Sequence, residues 1–184
     1  MQTDAGRIVI ALEREKAPLT SQFLIDLVSA GMLNGHTLYR AGSASGRDAA
    51  VDLVEGGMLD QFVGSGPPMT IEATGLPTMP MTEGTDETGL RHRRGAVSLA
   101  RDVLNSGVIL PDLVFILADT PQNDAGGQNS PDRRGYPVVG HVIEGLDLLD
   151  AIAGRARGGE TWVPVLRGQM LTVPLLIQSA NVQR

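Results

Sequence analysis

Apolar and polar residues alternate along short segments of this chain, and glycine- and proline-rich breaks separate the segments. The first segment covers residues 6–12 and places Ile8 and Ile10 on one face, which is typical of a strand. The same pattern predicts further strands at 37–40, 51–58, 95–100, 113–118, 138–143, 163–166 and 171–177. Because proline cannot donate to a strand ladder, Pro164 and Pro174 predict that the last two are edge or bulged strands.

Two segments have helical spacing instead. The first begins near Pro18 and carries an apolar stripe, with Thr20 or Ser21 as the predicted N-terminal cap and Gly31 placed to end it. The second covers residues 145–153. One helix early and one late, with many short strands between, favour a closed β-barrel capped at both ends.

Between residues 41 and 88 the pattern degrades, and only 51–58 looks like a strand. Proline at four positions excludes a regular central strand across the rest, and the sequence does not place this long loop. We find no internal repeat and no linker, so we expect a single domain over residues 1–184.

The composition supports a turn-rich β protein, with 23 glycines and 11 prolines in 184 residues. A net charge of −6 gives no indication of a nucleic-acid surface. The apolar runs are far shorter than the roughly 20 residues of a spanning helix, so no membrane span is expected. The predicted first strand starts within a few residues of Met1, so we expect no signal peptide here. A periplasmic location, with the export signal removed, and a cytoplasmic one both stay open.

No pattern in the sequence predicts a metal or a cofactor. There is no cysteine, which excludes disulfides, thiolate metal sites and a cysteine nucleophile. Ser98 and Ser106 lack the Gly-x-Ser-x-Gly elbow of a serine hydrolase. The three histidines are scattered, without partners at ligand spacing: His36, His92 and His141.

Four segments in a fixed order carry a resemblance to a known family. They are Leu38-Tyr39-Arg40, Arg-Gly-Ala-Val-Ser-Leu-Ala-Arg at 94–101, Leu-Val-Phe-Ile-Leu at 113–117, and Gly-Tyr-Pro-Val-Val-Gly-His-Val-Ile-Glu-Gly at 135–145. The series resembles the cyclophilin family of peptidyl-prolyl cis-trans isomerases. This resemblance, from residue 6 to about 179, implies a mainly β fold: a closed eight-stranded antiparallel β-barrel capped by two helices.

The resemblance assigns catalysis to Arg40, which matches the family's catalytic arginine. Rotation about an X–Pro amide has a barrier of about 18–20 kcal/mol because of amide resonance. No bond is made or broken, so neither a nucleophile nor a metal is required. A fixed guanidinium can stabilise the twisted amide by donating to the proline nitrogen as its lone pair localises. By its strand position alone, Arg40 would be a surface arginine paired with a carboxylate.

The resemblance also implies a substrate-binding set. Phe115 matches the phenylalanine that floors the proline pocket, although its pattern alone would make it an ordinary core aromatic. Leu53 falls in the pocket wall, and Tyr136 lines the pocket. Ala100 and Arg101 would present backbone groups to the peptide.

Two positions of this predicted binding set depart from the family pattern. Glu55 stands where relatives have the glutamine that orients the arginine, and a glutamate there could hold the guanidinium rigidly or quench its donor capacity. Leu113 stands where relatives carry a polar residue, often glutamine.

Three functions therefore stay open. The first is a cofactor-free isomerase, expected to be a monomer, acting on proline-containing segments of client proteins. The second is a peptide-binding or chaperone-like module on the same barrel, with weak or no isomerase activity. The third is an unrelated small-ligand barrel, which would require that Arg40 and Phe115 do not converge.

Overall fold

Nine strands make up most of the regular structure in the described part of the chain. The computed structural model describes residues 1–46, 49–64, 66–102 and 106–183. The strands are β1 (Gln2–Thr3), β2 (Gly6–Arg7), β3 (Val9–Leu12), β4 (Thr37–Gly42), β5 (Leu53–Gly57), β6 (Ala96–Arg101), β7 (Ile109–Ile116), β8 (Val138–Glu144) and β9 (Met170–Ser179).

Two helices longer than one turn flank these strands, α1 (Pro18–Ser29) and α4 (Leu146–Ala153). Two single-turn helices, α2 (Ile71–Thr74) and α3 (Thr85–Thr88), lie in the region that the sequence left without a pattern. Short 3-10 turns follow β5 (Met58–Gln61), precede β8 (Pro121–Asn123) and precede β9 (Pro164–Leu166).

All strand pairs are antiparallel and form one sheet in the order β2-β1-β9-β4-β5-β7-β6-β8-β3. The two outermost strands, β2 and β3, are separated in the chain only by Ile8, so the sheet nearly closes on itself. At this junction the Met1 ammonium donates to the Ile8 carbonyl at 2.7 Å and the Ile8 N–H donates to the Met1 carbonyl at 2.9 Å. The prediction of a mainly β, antiparallel barrel is therefore confirmed.

Among the described residues, the strand count is nine rather than eight because of three local differences from the prediction. The predicted first strand breaks at Ile8 into two pieces that pair with different neighbours. Residues 2–3 add a strand that was not predicted. The strand predicted at 163–166 is wrong, because Pro164 begins a 3-10 turn, where its fixed φ and missing N–H are tolerated. Pro174 lies inside β9, where pairing with β4 is interrupted between Met170 and Leu175.

The barrel interior is filled by apolar side chains from the strands and from one face of α1 and α4. Its fully buried members include Ile8, Leu38, Val54, Val97, Phe115, Leu149, Ile152 and Ile177. Because these side chains leave water on folding, they supply the main driving force for closing the barrel.

The pairing register sorts the side chains of β5, β6 and β7 onto two faces. Phe115 of β7 lies opposite Val54 of β5 and Val97 of β6, and all three point into the barrel. Neighbouring positions point outward, because successive side chains of a strand alternate. The outer face carries Leu53, Glu55, Ser98, Ala100 and Val114, which lie beneath the loops that cross it.

The N-terminus of α1 is capped from a distant loop. Its first helical turn follows Ala17, which provides no side-chain cap, so the predicted capping by Thr20 or Ser21 is wrong. Instead, the Glu83 carboxylate accepts the N–H groups of Leu19 and Thr20, both at 2.8 Å, and the Thr20 hydroxyl at 2.7 Å. The carboxylate satisfies orphan donors and complements the positive end of the helix.

Replacing Glu83 should therefore destabilise the fold without touching the barrel wall. We expect Glu83→Ala to lower the free energy of unfolding by about 1–2 kcal/mol, as for the loss of a helix cap. Urea denaturation followed by circular dichroism measures this change. Glu15→Ala, at an exposed position, is the control, and equal stabilities of the two variants would contradict the capping role.

Candidate active site

A groove of about 910 Å³ crosses the outer face of β4 to β7. Its floor is the outward-facing side of these strands, and its walls come from surrounding loops: residues 43–46, 69–74, 128–136 and 162–166. Volumes of this size are typical of clefts that bind ligands. The groove is therefore the candidate site.

A β-bulge in β4 brings two consecutive side chains to this groove. The pairing of β4 shifts between Leu38 and Arg40 against both β5 and β9. Leu38 and Ala41 point into the barrel core, whereas Tyr39 and Arg40 both line the groove. A bulge inserts one extra residue into a strand and re-aims its side chains. The bulge thus places Arg40 at the groove with Tyr39 beneath it.

The Arg40 guanidinium is held from two sides. Its Nη1 donates to Glu55 Oε2, and its Nε and Nη2 donate to Gln169 Oε1 at 3.0 and 2.8 Å. The side chains of Arg40 and Glu55 are only 16% and 10% exposed. Of the five N–H donors of an arginine, the contacts among described residues occupy three. One N–H group on Nη1 and one on Nη2 lie outside these contacts, on a side chain that lines the groove.

Gln169 was missed in the sequence. It lies between Gly168 and the start of β9, more than 120 residues from Arg40, and is 2% exposed. No motif surrounds it. The sequence signal that could have marked it is weak: a polar residue stands directly before the apolar residues that begin a strand.

A second buried carboxyl lies behind Arg40. Asp112 of β7 has no exposed surface and accepts the Tyr39 hydroxyl at 2.7 Å and the Leu59 N–H at 2.9 Å. Burial raises the pKa of Asp112 to about 8, and the negative charge of Glu55 adds to the effect. Burial likewise raises the pKa of Tyr39 well above its usual value. The raised pKa favours the protonated form of Asp112, and in that form Glu55 is the carboxylate that balances Arg40.

At the other end of the groove, Arg101 supports Tyr136. A bulge in β6 between Leu99 and Arg101 turns both Ala100 and Arg101 to the groove. The Arg101 side chain is 2% exposed; its Nη2 lies 2.5 Å from Asp132 Oδ2, and its guanidinium carbon lies 5.7 Å from the Tyr136 ring centre. The hydrogen bond from Arg101 lowers the pKa of Asp132, so this pair stays charged. The Arg101 side chain thus positions Tyr136, in addition to any backbone contact.

A polar chain that the sequence did not predict runs under Tyr136. His92 Nδ1 lies 2.8 Å from Asp124 Oδ1, and His92 Nε2 lies 3.1 Å from Ser98 Oγ. The His92 ring meets the Tyr136 ring edge-on at 6.3 Å. The order of groups is that of a hydrolase triad, but Ser98 lies within a strand and is 1% exposed. These hydrogen bonds satisfy buried polar groups, and the His92 ring supports the Tyr136 ring.

Two predicted site residues lie elsewhere. Leu113 and Phe115 are 1% and 0% exposed and point into the barrel core, away from the groove. The register explains the error, because it places these odd positions of β7 opposite core residues of β5 and β6. Between them, Val114 faces the groove and is the side chain at its floor. The other predicted residues line the groove: Arg40, Leu53, Glu55, Ala100, Arg101 and Tyr136.

The profile of the family described as cyclophilin type peptidyl-prolyl cis-trans isomerase/CLD matches residues 1–175 of this chain. The chain belongs to this family. Membership excludes an unrelated small-ligand barrel, even though Arg40 and Phe115 do not converge.

Other members of the cyclophilin family are similar over most of their length. The chain is 28% identical to peptidyl-prolyl cis-trans isomerase A of Dickeya dadantii over 83% of this chain and 69% of that protein. It is also 28% identical to peptidyl-prolyl cis-trans isomerase cyp18 of Streptomyces antibioticus, over 99% of this chain and 96% of that protein. The crystal structure of a Cryptosporidium parvum cyclophilin-type isomerase, determined in the presence of the dipeptide Ala-Pro, superposes with a TM-score of 0.68 at 13% identity, covering 100% of this chain and 97% of that one.

Within the described ranges, no group of three or more histidine, aspartate or glutamate side chains could hold a metal ion. In the same residues, no helix is long and apolar enough to cross a membrane.

The buried Asp112 predicts a pH dependence of stability. Its folded-state pKa of about 8 lies above the unfolded value near 3.8, so the folded state binds the extra proton between these values. Stability should therefore fall as the pH rises from about 4 to about 8. Asp112→Asn mimics the protonated carboxyl, since its amide can meet Tyr39 and Leu59, and should remove this part of the slope.

Urea unfolding at intervals from pH 5 to pH 8 measures the slope for both proteins. Asp26→Asn serves as the matched control, because it changes an exposed carboxyl on α1, away from Asp112. A parallel pH profile for the wild type and Asp112→Asn would refute the protonated state of Asp112.

Proposed function

We propose that this member of the cyclophilin family is a peptidyl-prolyl cis-trans isomerase that uses Arg40 as its catalytic residue. The observation that carries the proposal is the fixed guanidinium. Arg40 is anchored by Glu55 and Gln169, and two of its N–H groups lie outside these contacts, on a side chain that lines the groove. The names of the relatives, which are peptidyl-prolyl cis-trans isomerases, support the same activity.

The chemistry requires only differential binding. As the X–Pro bond twists, amide resonance is lost and the proline nitrogen becomes a hydrogen-bond acceptor. An N–H of Arg40 donates to this nitrogen in the twisted state, whereas the planar isomers offer it no lone pair. The donor therefore stabilises the transition state more than either ground state, which is the condition for catalysis.

The apolar floor of the groove provides the seat for the proline ring. Leu53 and Val114 lie beside Glu55 on the outward face of β5 and β7, and Tyr136 lines the same groove. Ala100 and Arg101, on the bulge of β6, are positioned to present backbone groups to an extended peptide. Because Val114 is smaller than a phenylalanine, the floor leaves more depth for the ring.

The substrate class follows from the site. We propose that the chain acts as a monomer on exposed X–Pro bonds in extended segments of client proteins, without a metal or a cofactor. A net charge of −6 disfavours nucleic acid as a partner. The structural neighbour crystallised with Ala-Pro supports a proline-containing ligand for this fold.

Removing the guanidinium should abolish most of the activity. We expect Arg40→Ala to lower kcat/KM for a short X–Pro peptide by about 100-fold, the loss typical of one transition-state donor. A protease-coupled cis-to-trans assay measures this. Arg7→Ala is the matched control, since Arg7 also pairs with a carboxylate, Glu144, but lies outside the groove. Equal activities of Arg40→Ala and the wild type would refute the assignment.

A second candidate function is favoured by the Arg40–Glu55 pair. A carboxylate on Nη1 neutralises the positive charge at the site, so the chain could bind proline peptides with little turnover. We expect Glu55→Gln to raise kcat/KM about 2- to 10-fold, because an amide keeps the hydrogen bond and restores the net charge.

The same coupled assay, with calorimetric titration of the peptide, decides between the two functions. Glu15→Gln, an exposed carboxylate change, is the control. Binding without acceleration in both the wild type and Glu55→Gln would establish the peptide-binding module. A loss of activity in Glu55→Gln would instead make the charged carboxylate part of the working site.

A further inference from the structure

We infer that Gln169 and Gly42 act together as a positioning pair for Arg40. This inference rests on the proposed isomerase function and adds two residues that no sequence motif marks. Gln169 touches the catalytic guanidinium, and Gly42 provides the space in which the Gln169 amide lies.

The Gln169 carboxamide is satisfied at both of its ends. Its Oε1 accepts from Arg40 Nε, Arg40 Nη2 and the Ser43 N–H, the last at 3.2 Å. Its Nε2 donates to the Val165 carbonyl at 3.0 Å. An amide alone meets this demand, because a carboxylate cannot donate to Val165 and an apolar side chain cannot accept from Arg40. The position therefore requires glutamine chemistry.

The neighbouring strand is shaped around this amide. A Cβ atom built on Gly42 would lie 1.8 Å from Gln169 Oε1 and 2.8 Å from Arg40 Nε. Real Cβ atoms do not approach other atoms so closely, so any larger residue at 42 must displace the Gln169 amide. The space beside Arg40, not the backbone conformation, thus demands a glycine at this place.

The contacts from Glu55 and Gln169 together fix the orientation of the Arg40 guanidinium. Glu55 holds Nη1 from β5, and Gln169 holds the opposite edge of the guanidinium plane from the start of β9. Two contacts on different edges fix the plane, whereas one contact leaves it free to rotate about the remaining hydrogen bond. Geometry of this kind matters because a small misplacement of a catalytic group costs much of the rate.

Two variants test the positioning pair by kinetics. We expect Gln169→Leu and Gly42→Ala each to lower kcat for an X–Pro peptide about tenfold, with KM changed less than about twofold. The controls are Gln178→Leu, an exposed position on β9, and Gly66→Ala, where nothing lies within 4 Å of the added Cβ. In an Arg40→Ala background, Gln169→Leu should cost nothing further, because it acts only through Arg40.

A measurement independent of activity accompanies the kinetics. The Nε–H of Arg40 is hydrogen-bonded in the wild type, so its NMR signal should exchange slowly with solvent. Both variants should speed this exchange at least about tenfold, and both controls should leave it unchanged.

An unchanged exchange rate with kcat within twofold of the wild type would overturn the inference. An equal loss of activity from Gln169→Leu with and without Arg40 would overturn it too, since that result indicates a purely structural role. If the wild type itself does not isomerise the peptide, the proposed function fails, and the exchange of the Arg40 Nε–H still decides whether Gln169 and Gly42 position it.

Discussion

Strands β5, β6 and β7 are buried along their whole length, on the barrel side by the core and on the other side by the groove and its loops. Each side chain of these strands therefore lies either in the barrel core or at the groove, and the pairing register decides which. Bulges at Tyr39 of the neighbouring β4 and at Ala100 of β6 depart from this alternation, and each turns a pair of consecutive side chains toward the groove. Arg40 and Arg101 therefore reach the groove at places where strict alternation fails, which is a common use of bulges.

Ionisable groups are concentrated at and behind the groove floor, where a core would not otherwise tolerate them. Arg40, Glu55 and Asp112 are all largely buried within one region. A proton on Asp112 removes one of the two negative charges, and the remaining pair is neutral. Buried charges of this kind contribute little net stability. Their presence here is better explained by the chemistry of the site than by the fold.

Features that depend on neighbouring residues could be predicted from the sequence, whereas features that depend on contacts between distant residues could not. Strand alternation and helical spacing are local, so the elements around Arg40, Tyr136 and α4 were predicted close to their observed bounds. The resemblance placed Phe115 in the pocket, whereas the pairing register points it into the core, as its own pattern indicated. Gln169 and Glu83 could not be predicted, because their partners lie far away in the chain and nothing nearby marks them.

The capping of α1 by Glu83 has a consequence for the order of folding. The helix donors and their carboxylate are separated by 64 residues, which include β4 and β5. Before that intervening chain is in place, the first turn of α1 has orphan N–H groups and a frayed end. We therefore expect the first turn of α1 to complete late, after a long loop has been closed at an entropic cost. An element that looks autonomous in the sequence is thus among the parts of the molecule that depend most on its topology.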